Sequence, residues 1–192
     1  MAFIEICGNI AAGKSSLCKS FKKFPINLIY EKPIDIPFLE KFYHNPKLYS
    51  FETEMAFLMQ HYHFIKCSNY ESSVCDYSLL QDLAYADVNL TGERHRIFCD
   101  VVRELWKEIG FPLSIIHLTC SEDVLLQRIA ERNIETEKAI DINYLTALTQ
   151  AIASRVKSVQ TTVKIVSLNS EKIDFRNGID HIPELTALVQ NF

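Results

Sequence analysis

Glycine is scarce in this chain, with five residues in 192, and none of them belongs to a Gly- or Ser-rich linker or a low-complexity tract. No internal repeat occurs, so the sequence reads as a single domain spanning residues 1–192. Positive charge is also limited. Lys and Arg number 20 against 24 Asp and Glu, a net charge of −4, which argues against a duplex nucleic-acid binder. No apolar run approaches the roughly 20 residues that cross a bilayer, and Met1 to Cys7 is too short for a signal peptide. A cytoplasmic protein with no membrane or nucleic-acid partner is expected. The six cysteines (Cys7, Cys18, Cys67, Cys75, Cys99, Cys120) show no C-x-x-C spacing, so reduced thiols are expected rather than a zinc site or a redox dithiol. Neither N-K-x-D nor D-x-x-G occurs, which argues against a switch GTPase.

What is present starts with two of those few glycines. Gly8-Asn9-Ile10-Ala11-Ala12-Gly13-Lys14-Ser15 fits G-x-x-x-x-G-K-[ST], with Ser16 following. An apolar run, Phe3 to Ile6, precedes it, and a helix through Leu17 and Phe21 is predicted after it. Glycines let successive N–H groups turn inward toward phosphate oxygens. The helix starting at Lys14 adds its positive dipole end. Lys14 brings a full charge to the outer phosphates, and the Ser15 hydroxyl suits Mg²⁺. The pattern implies a nucleoside triphosphate.

Further strands are predicted at Asn27–Tyr30, Ser73–Cys75, Leu113–Leu118 and Val163–Leu168. Helices are predicted near Phe38–Tyr43, Phe51–Ile65, 78–88, 94–109, 122–132, 141–159 and Pro183–Val189. The alternation gives an α/β fold: a five-stranded, mostly parallel sheet with helices on both faces. Ligands in such sheets bind beyond the carboxyl ends of the strands. Glu31 closes the second strand and is a candidate general base, or else a solvated loop acid. Asp76 closes the third and is a candidate Mg²⁺ carboxylate, or else a helix N-cap. Arg128 and Arg132 share one helical face before a charged stretch. They are candidates to close over transferring phosphates, or else a solvated face with Glu131.

Helical phase makes Glu54 unusual. At about 100° per residue it falls among Phe51, Leu58, His61 and Ile65, while Glu52 points away. An inward carboxylate needs a partner. Either a polar ligand meets it or His61 pairs with it.

Together these residues resemble the deoxyribonucleoside kinases, especially the bacterial deoxyguanosine kinase branch. The likeness runs through GNIAAGKSSL, EKPIDIPFLEKFYHNPKLYSFETEMAFL, CDYSLLQDLAYA and LLQRIAERNIETEKAIDINYL. The resemblance implies a P-loop kinase fold with a short lid, a homodimer built through helices near 78–88 and 141–159, and Mg²⁺-dependent transfer from ATP to a deoxynucleoside 5′-hydroxyl. It also implies roles. Glu31 is the base, Asp76 the metal-associated acid, and Arg128 and Arg132 the lid arginines. Tyr43 and Glu137 hold the sugar 3′-hydroxyl, and Glu54, His61 and Asp82 lie at the nucleobase. The sequence departs from the pattern at Ala11, where glycine is common. It also departs at His61, Tyr77 and Ile134, each in place of an arginine.

Base preference follows from donors and acceptors. An ionised glutamate at position 54 offers two acceptors, which match the adjacent N1–H and amine of guanine. A protonated one would behave as glutamine does and suit adenine or cytosine; burial pushes that way, whereas a charged His61 opposes it. Deoxyguanosine is the expected substrate. The alternatives are a deoxyadenosine or deoxycytidine kinase, a thymidylate-type monophosphate kinase and, remotely, a non-catalytic nucleotide-binding regulator.

Overall fold

The structure, a computed structural model, describes residues 2–68 and 71–189; residues 1, 69–70 and 190–192 of the expected domain lie outside them. Five strands form one sheet: β1 (Ala2–Gly8), β2 (Asn27–Ile29), β3 (Ser72–Cys75), β4 (Ser114–Thr119) and β5 (Lys164–Asn169). Their order is β2-β3-β1-β4-β5, and every pairing is parallel. The helices are α1 (Lys14–Ser20), α2 (Leu39–His44), α3 (Pro46–Lys66), α4 (Leu79–Asn89), α5 (Gly92–Ile109), α6 (Glu122–Arg132), α7 (Ile142–Val159) and α8 (Pro183–Val189). A 3₁₀ turn, Glu135–Ala139, follows α6 at the expected lid.

The pleat of β1 sorts the core. Ile4 and Ile6 point to one face with α1, α6 and α8. Phe3 and Cys7 point to the other, toward α3, α4, α5 and the later part of α7. β1 is central and continuously buried from Phe3 to Gly8, as a strand covered on both faces must be. Its carboxyl end therefore opens at the switch point, between neighbours β3 and β4.

Two expectations about helix starts are corrected. α3 begins at Pro46, five residues before the predicted Phe51. Pro46 takes the first helical turn, where a missing N–H costs nothing; Pro46, Lys47 and Leu48 are exposed, so no apolar period marks that turn. The N-cap of α4 is Ser78, whose hydroxyl oxygen accepts from Leu80 N–H, and Asp76 is not the cap.

Glu5 lies in mid-strand and is completely buried beneath the start of α4. Its carboxylate accepts from the Ser78 hydroxyl (2.7 Å) and Leu79 N–H (3.3 Å). Burial pushes the Glu5 carboxyl up to about 7, and these two donors restrain the rise. Glu5→Ala should lower stability by roughly 1–3 kcal/mol, because it leaves the Leu79 N–H buried without its acceptor. Chemical unfolding checks this, and an unchanged midpoint would contradict it. All six cysteines are free thiols. Among the described residues no helix is long and apolar enough to cross a membrane.

Candidate active site

The Gly8–Ser15 segment connects β1 to α1. A Cβ on Gly8 would lie 3.0 Å from the Leu118 carbonyl oxygen and 3.2 Å from the Ala12 Cβ, so the close approach of β4 requires glycine here. Gly13 adopts φ 96° and Ala11 φ 60°. Ala11 thus does take the left-handed conformation, at a strain of roughly 1–2 kcal/mol. Lys14 Nζ donates to the carbonyls of Gly8 (2.9 Å) and Asn9 (3.0 Å). Burial pulls its pKa below the ordinary lysine value. Asn9 faces away from the loop's inner side: its Nδ2 donates to the Leu145 carbonyl (2.8 Å) and Thr149 Oγ1 (2.9 Å), tying the loop to α7. Gly8 N–H donates to Gln81 Oε1 at 3.1 Å, a contact the sequence did not announce.

A cavity of about 260 Å³ opens beside this loop. Its wall includes Ile10 to Ser15, Glu31, Tyr43, Glu54, His61, Asp76, Asp82, Arg132 and Glu137. One hollow therefore brings together nearly all the residues singled out from sequence. Ser16 and Arg128 line a neighbouring hollow instead, which Arg132 shares. Arg128 is docked: it donates to the Ala11 carbonyl (3.3 Å) and to Ser170 Oγ and O (3.1 and 2.8 Å). Arg132 is freer, its guanidinium 3.8 Å from Glu137.

Asp76 is buried at the end of β3 and accepts from Glu31 N–H at 2.6 Å. Burial raises its pKa; the Glu31 amide and the Ser15 hydroxyl, which also reaches it, moderate the rise. A hydroxyl and a carboxylate side by side at a phosphate loop are hard oxygen donors of the kind that would suit Mg²⁺. Among the described residues no group of three or more His, Cys, Asp or Glu side chains could hold a metal ion.

His61 is fully enclosed. Its Nδ1 lies 2.8 Å from Asp82 Oδ2 and its Nε2 3.0 Å from Glu31 Oε1. Burial opposes charge on the ring, but the two carboxylates outweigh it and raise the pKa to about 10. Burial likewise pushes Glu31 up, yet the His61 hydrogen bond and charge, with Lys14, bring it below the ordinary glutamate value. Glu31 is thus ionised and flanked by cations.

Glu54 is 4% exposed and faces the cavity, as its helical phase required. Its partner is not His61. Asn89 Nδ2 donates to Glu54 Oε1 at 2.7 Å and to the Tyr144 hydroxyl at 2.9 Å. His61 is hydrogen-bonded to Glu31 and Asp82, and its charge lowers the Glu54 pKa only as the smallest of the contributions. Burial pushes the Glu54 carboxyl up to about 8, with Asn89 the chief restraint. Tyr43 and Glu137 share the cavity wall, and Glu137 Oε2 is a buried acceptor with no protein donor.

A family model described as deoxynucleoside kinase matches residues 4–192. The chain belongs to the deoxynucleoside kinase family. As a deoxynucleoside kinase it is 31% identical to the deoxyguanosine kinase of Bacillus subtilis (strain 168), over 95% of this chain and 97% of that protein. It is 28% identical to the deoxyadenosine kinase of Dictyostelium discoideum, over 89% of this chain and 74% of that protein. Its fold matches a deoxyadenosine kinase from M. mycoides with bound dCTP, with TM-score 0.82 and 19% identity over 99% of this chain and 100% of the other. ATP is the phosphate donor that membership of this kinase family implies.

Proposed function

We propose that this kinase phosphorylates the 5′-hydroxyl of deoxyguanosine, with ATP as donor. The observation that carries the reading is Glu54: a buried carboxylate turned into the cavity, with one oxygen already held by Asn89. Asn89 fixes the carboxylate plane. Each oxygen keeps lone pairs for a base edge with two adjacent donors, and guanine presents that edge.

The rest of the cavity supplies the transfer. Loop amides and Lys14 hold the phosphates, and Arg132 faces the developing charge. Ser15 and Asp76 would hold Mg²⁺, which when bound neutralises phosphate charge. Glu31 takes the proton of the attacking hydroxyl. Tyr43 and Glu137 bind the sugar, with Glu137 Oε2 accepting from the 3′-hydroxyl. Arg128 acts indirectly by bracing the loop at Ala11.

One observation favours a second reading. A Glu54 pKa of about 8 makes the carboxyl mostly neutral at pH 7 until a ligand shifts it, and a neutral carboxyl suits deoxyadenosine or deoxycytidine. A monophosphate acceptor is disfavoured, because Tyr77 is wholly buried and His61 is paired on both nitrogens.

Rates with the four deoxynucleosides and their monophosphates test the assignment. Deoxyguanosine should lead, and a leading monophosphate would overturn it. Titration gives a second check. Guanine needs Glu54 ionised, and adenine needs it neutral. Below the pH at which guanine loses its own N1 proton, the ratio of kcat/KM for deoxyguanosine over deoxyadenosine should rise with pH. The ratio should rise about tenfold per pH unit throughout that range, on both sides of the Glu54 pKa of about 8, while the deoxyguanosine profile alone levels off above it. The ratio cancels effects of groups common to both reactions. A flat ratio would remove Glu54 from base selection.

A further inference from the structure

His61 is 1% exposed, and every part of its ring is already in use. Nδ1 faces Asp82 at 2.8 and 3.0 Å, and Nε2 faces Glu31 at 3.0 Å. One face lies on Tyr77, with ring centroids 4.0 Å apart and planes 8° from parallel. The Tyr77 hydroxyl donates to the backbone carbonyl of His61 itself at 3.1 Å. Phe57, one helical turn earlier, leans on the ring at 5.9 Å. Such a side chain has no free polar atom for a nucleobase.

Glu31 has the opposite problem. It follows β2, an edge strand, and enters irregular backbone. Its amide is anchored on Asp76, but its side chain has several rotors of its own. A general base must be aimed, and a displacement of about 1 Å can cost on the order of 10²-fold in rate.

We propose that His61 is a positioning residue for Glu31: held flat by Tyr77 and anchored at its far nitrogen by Asp82, it fixes the carboxylate toward the 5′-hydroxyl and does not read the base. This rests on the reading of Glu31 as the general base. It also joins two oddities of the sequence. His61 and Tyr77 each stand where an arginine was expected, and in the fold they form one contact. A flat aromatic floor holds an imidazole in plane, so the two side chains work as a unit. Asp82 becomes the anchor of that unit, one step removed from the nucleoside.

Steady-state kinetics with deoxyguanosine and deoxyadenosine, alongside unfolding temperatures, test this on His61→Asn, His61→Arg, Tyr77→Leu and Glu31→Gln. His61→Asn should lower kcat by ~30–100-fold, leave nucleoside KM within ~3-fold and keep the ranking of the nucleosides. His61→Arg, whose fork of donors spans both carboxylates, should recover kcat to within ~5-fold of wild type. An increase in KM with kcat intact, or a changed ranking, would overturn the proposal, as would a folded but inactive His61→Arg. Should His61→Asn fail to fold, Tyr77→Leu decides. It removes the stack and the hydroxyl bond yet keeps both ring nitrogens. A fall in kcat at constant KM supports the proposal, and an unchanged kcat refutes it. Glu31→Gln separates the two ideas. If it keeps the wild-type rate, the general-base reading fails and this inference falls with it. If it is crippled while His61→Asn turns over normally, only the positioning role is lost.

Discussion

Glu31→Gln is expected to lower kcat by about 10²-fold or more while deoxynucleoside KM changes only a few-fold. The substitution suits the site. Glutamine has the same length, and its carbonyl oxygen can still accept the hydrogen bond from His61 Nε2, which now lies 3.0 Å from Glu31 Oε1. Folding and nucleoside binding should therefore survive. What disappears is basicity. The carboxylate is held ionised by His61 and Lys14, so it can take a proton at neutral pH, whereas an amide cannot. The loss is bounded because phosphoryl transfer depends mostly on positioning and charge, and those parts remain. A variant turning over at the wild-type rate would take Glu31 out of the mechanism.

Glu54→Gln should invert substrate preference. Asn89 Nδ2 can still donate to the side-chain oxygen at position 54, so that oxygen stays fixed and the new amine turns toward the base. Guanine then meets a donor where it needs an acceptor. In a buried pocket one unsatisfied pair costs about 1–3 kcal/mol, or roughly 10- to 10²-fold in kcat/KM for deoxyguanosine. Adenine and cytosine, each with a donor beside a ring acceptor, gain the matching partner, so their kcat/KM should rise. The measurement is the ranking of nucleosides at fixed pH, and an unaltered order would contradict the role of Glu54.

Much of this site could be read from the chain. The phosphate loop was legible because its glycines, lysine and serine are contiguous and sit between a strand and a helix. Glu54 was legible because α3 has a fixed phase, and one carboxylate at the wrong angle stands out. Its partner was not. Asn89 lies 35 positions away at the end of another helix, and only the packing of α3 on α4 brings them to 2.7 Å. Helical spacing sets His61 beside Glu54 on α3; its neighbourhood with Asp82 comes only from the family resemblance, and its contact with Glu31 is announced by neither, because spacing along a helix says nothing of what the next element presents. The stack on Tyr77 was hidden for the same reason. Arg128 looked equivalent to Arg132, four residues on. One helical turn, however, is enough to bring Arg128 against Ala11 and Ser170 and to leave Arg132 facing the cavity.

α4 touches both halves of the chemistry. Gln81 accepts from the first amide of the phosphate loop, Asp82 pairs with His61 beside Glu31, and Asn89 donates to Glu54. Eight residues at about 1.5 Å each separate Gln81 from Asn89, close to 12 Å of stiff rod. If Glu54 reads the base as proposed, the interval between that reading and the arriving phosphate is set by one helix, as a gauge block sets the gap between two jaws. On that reading a nucleoside of another length would be gripped at either jaw, but not at both.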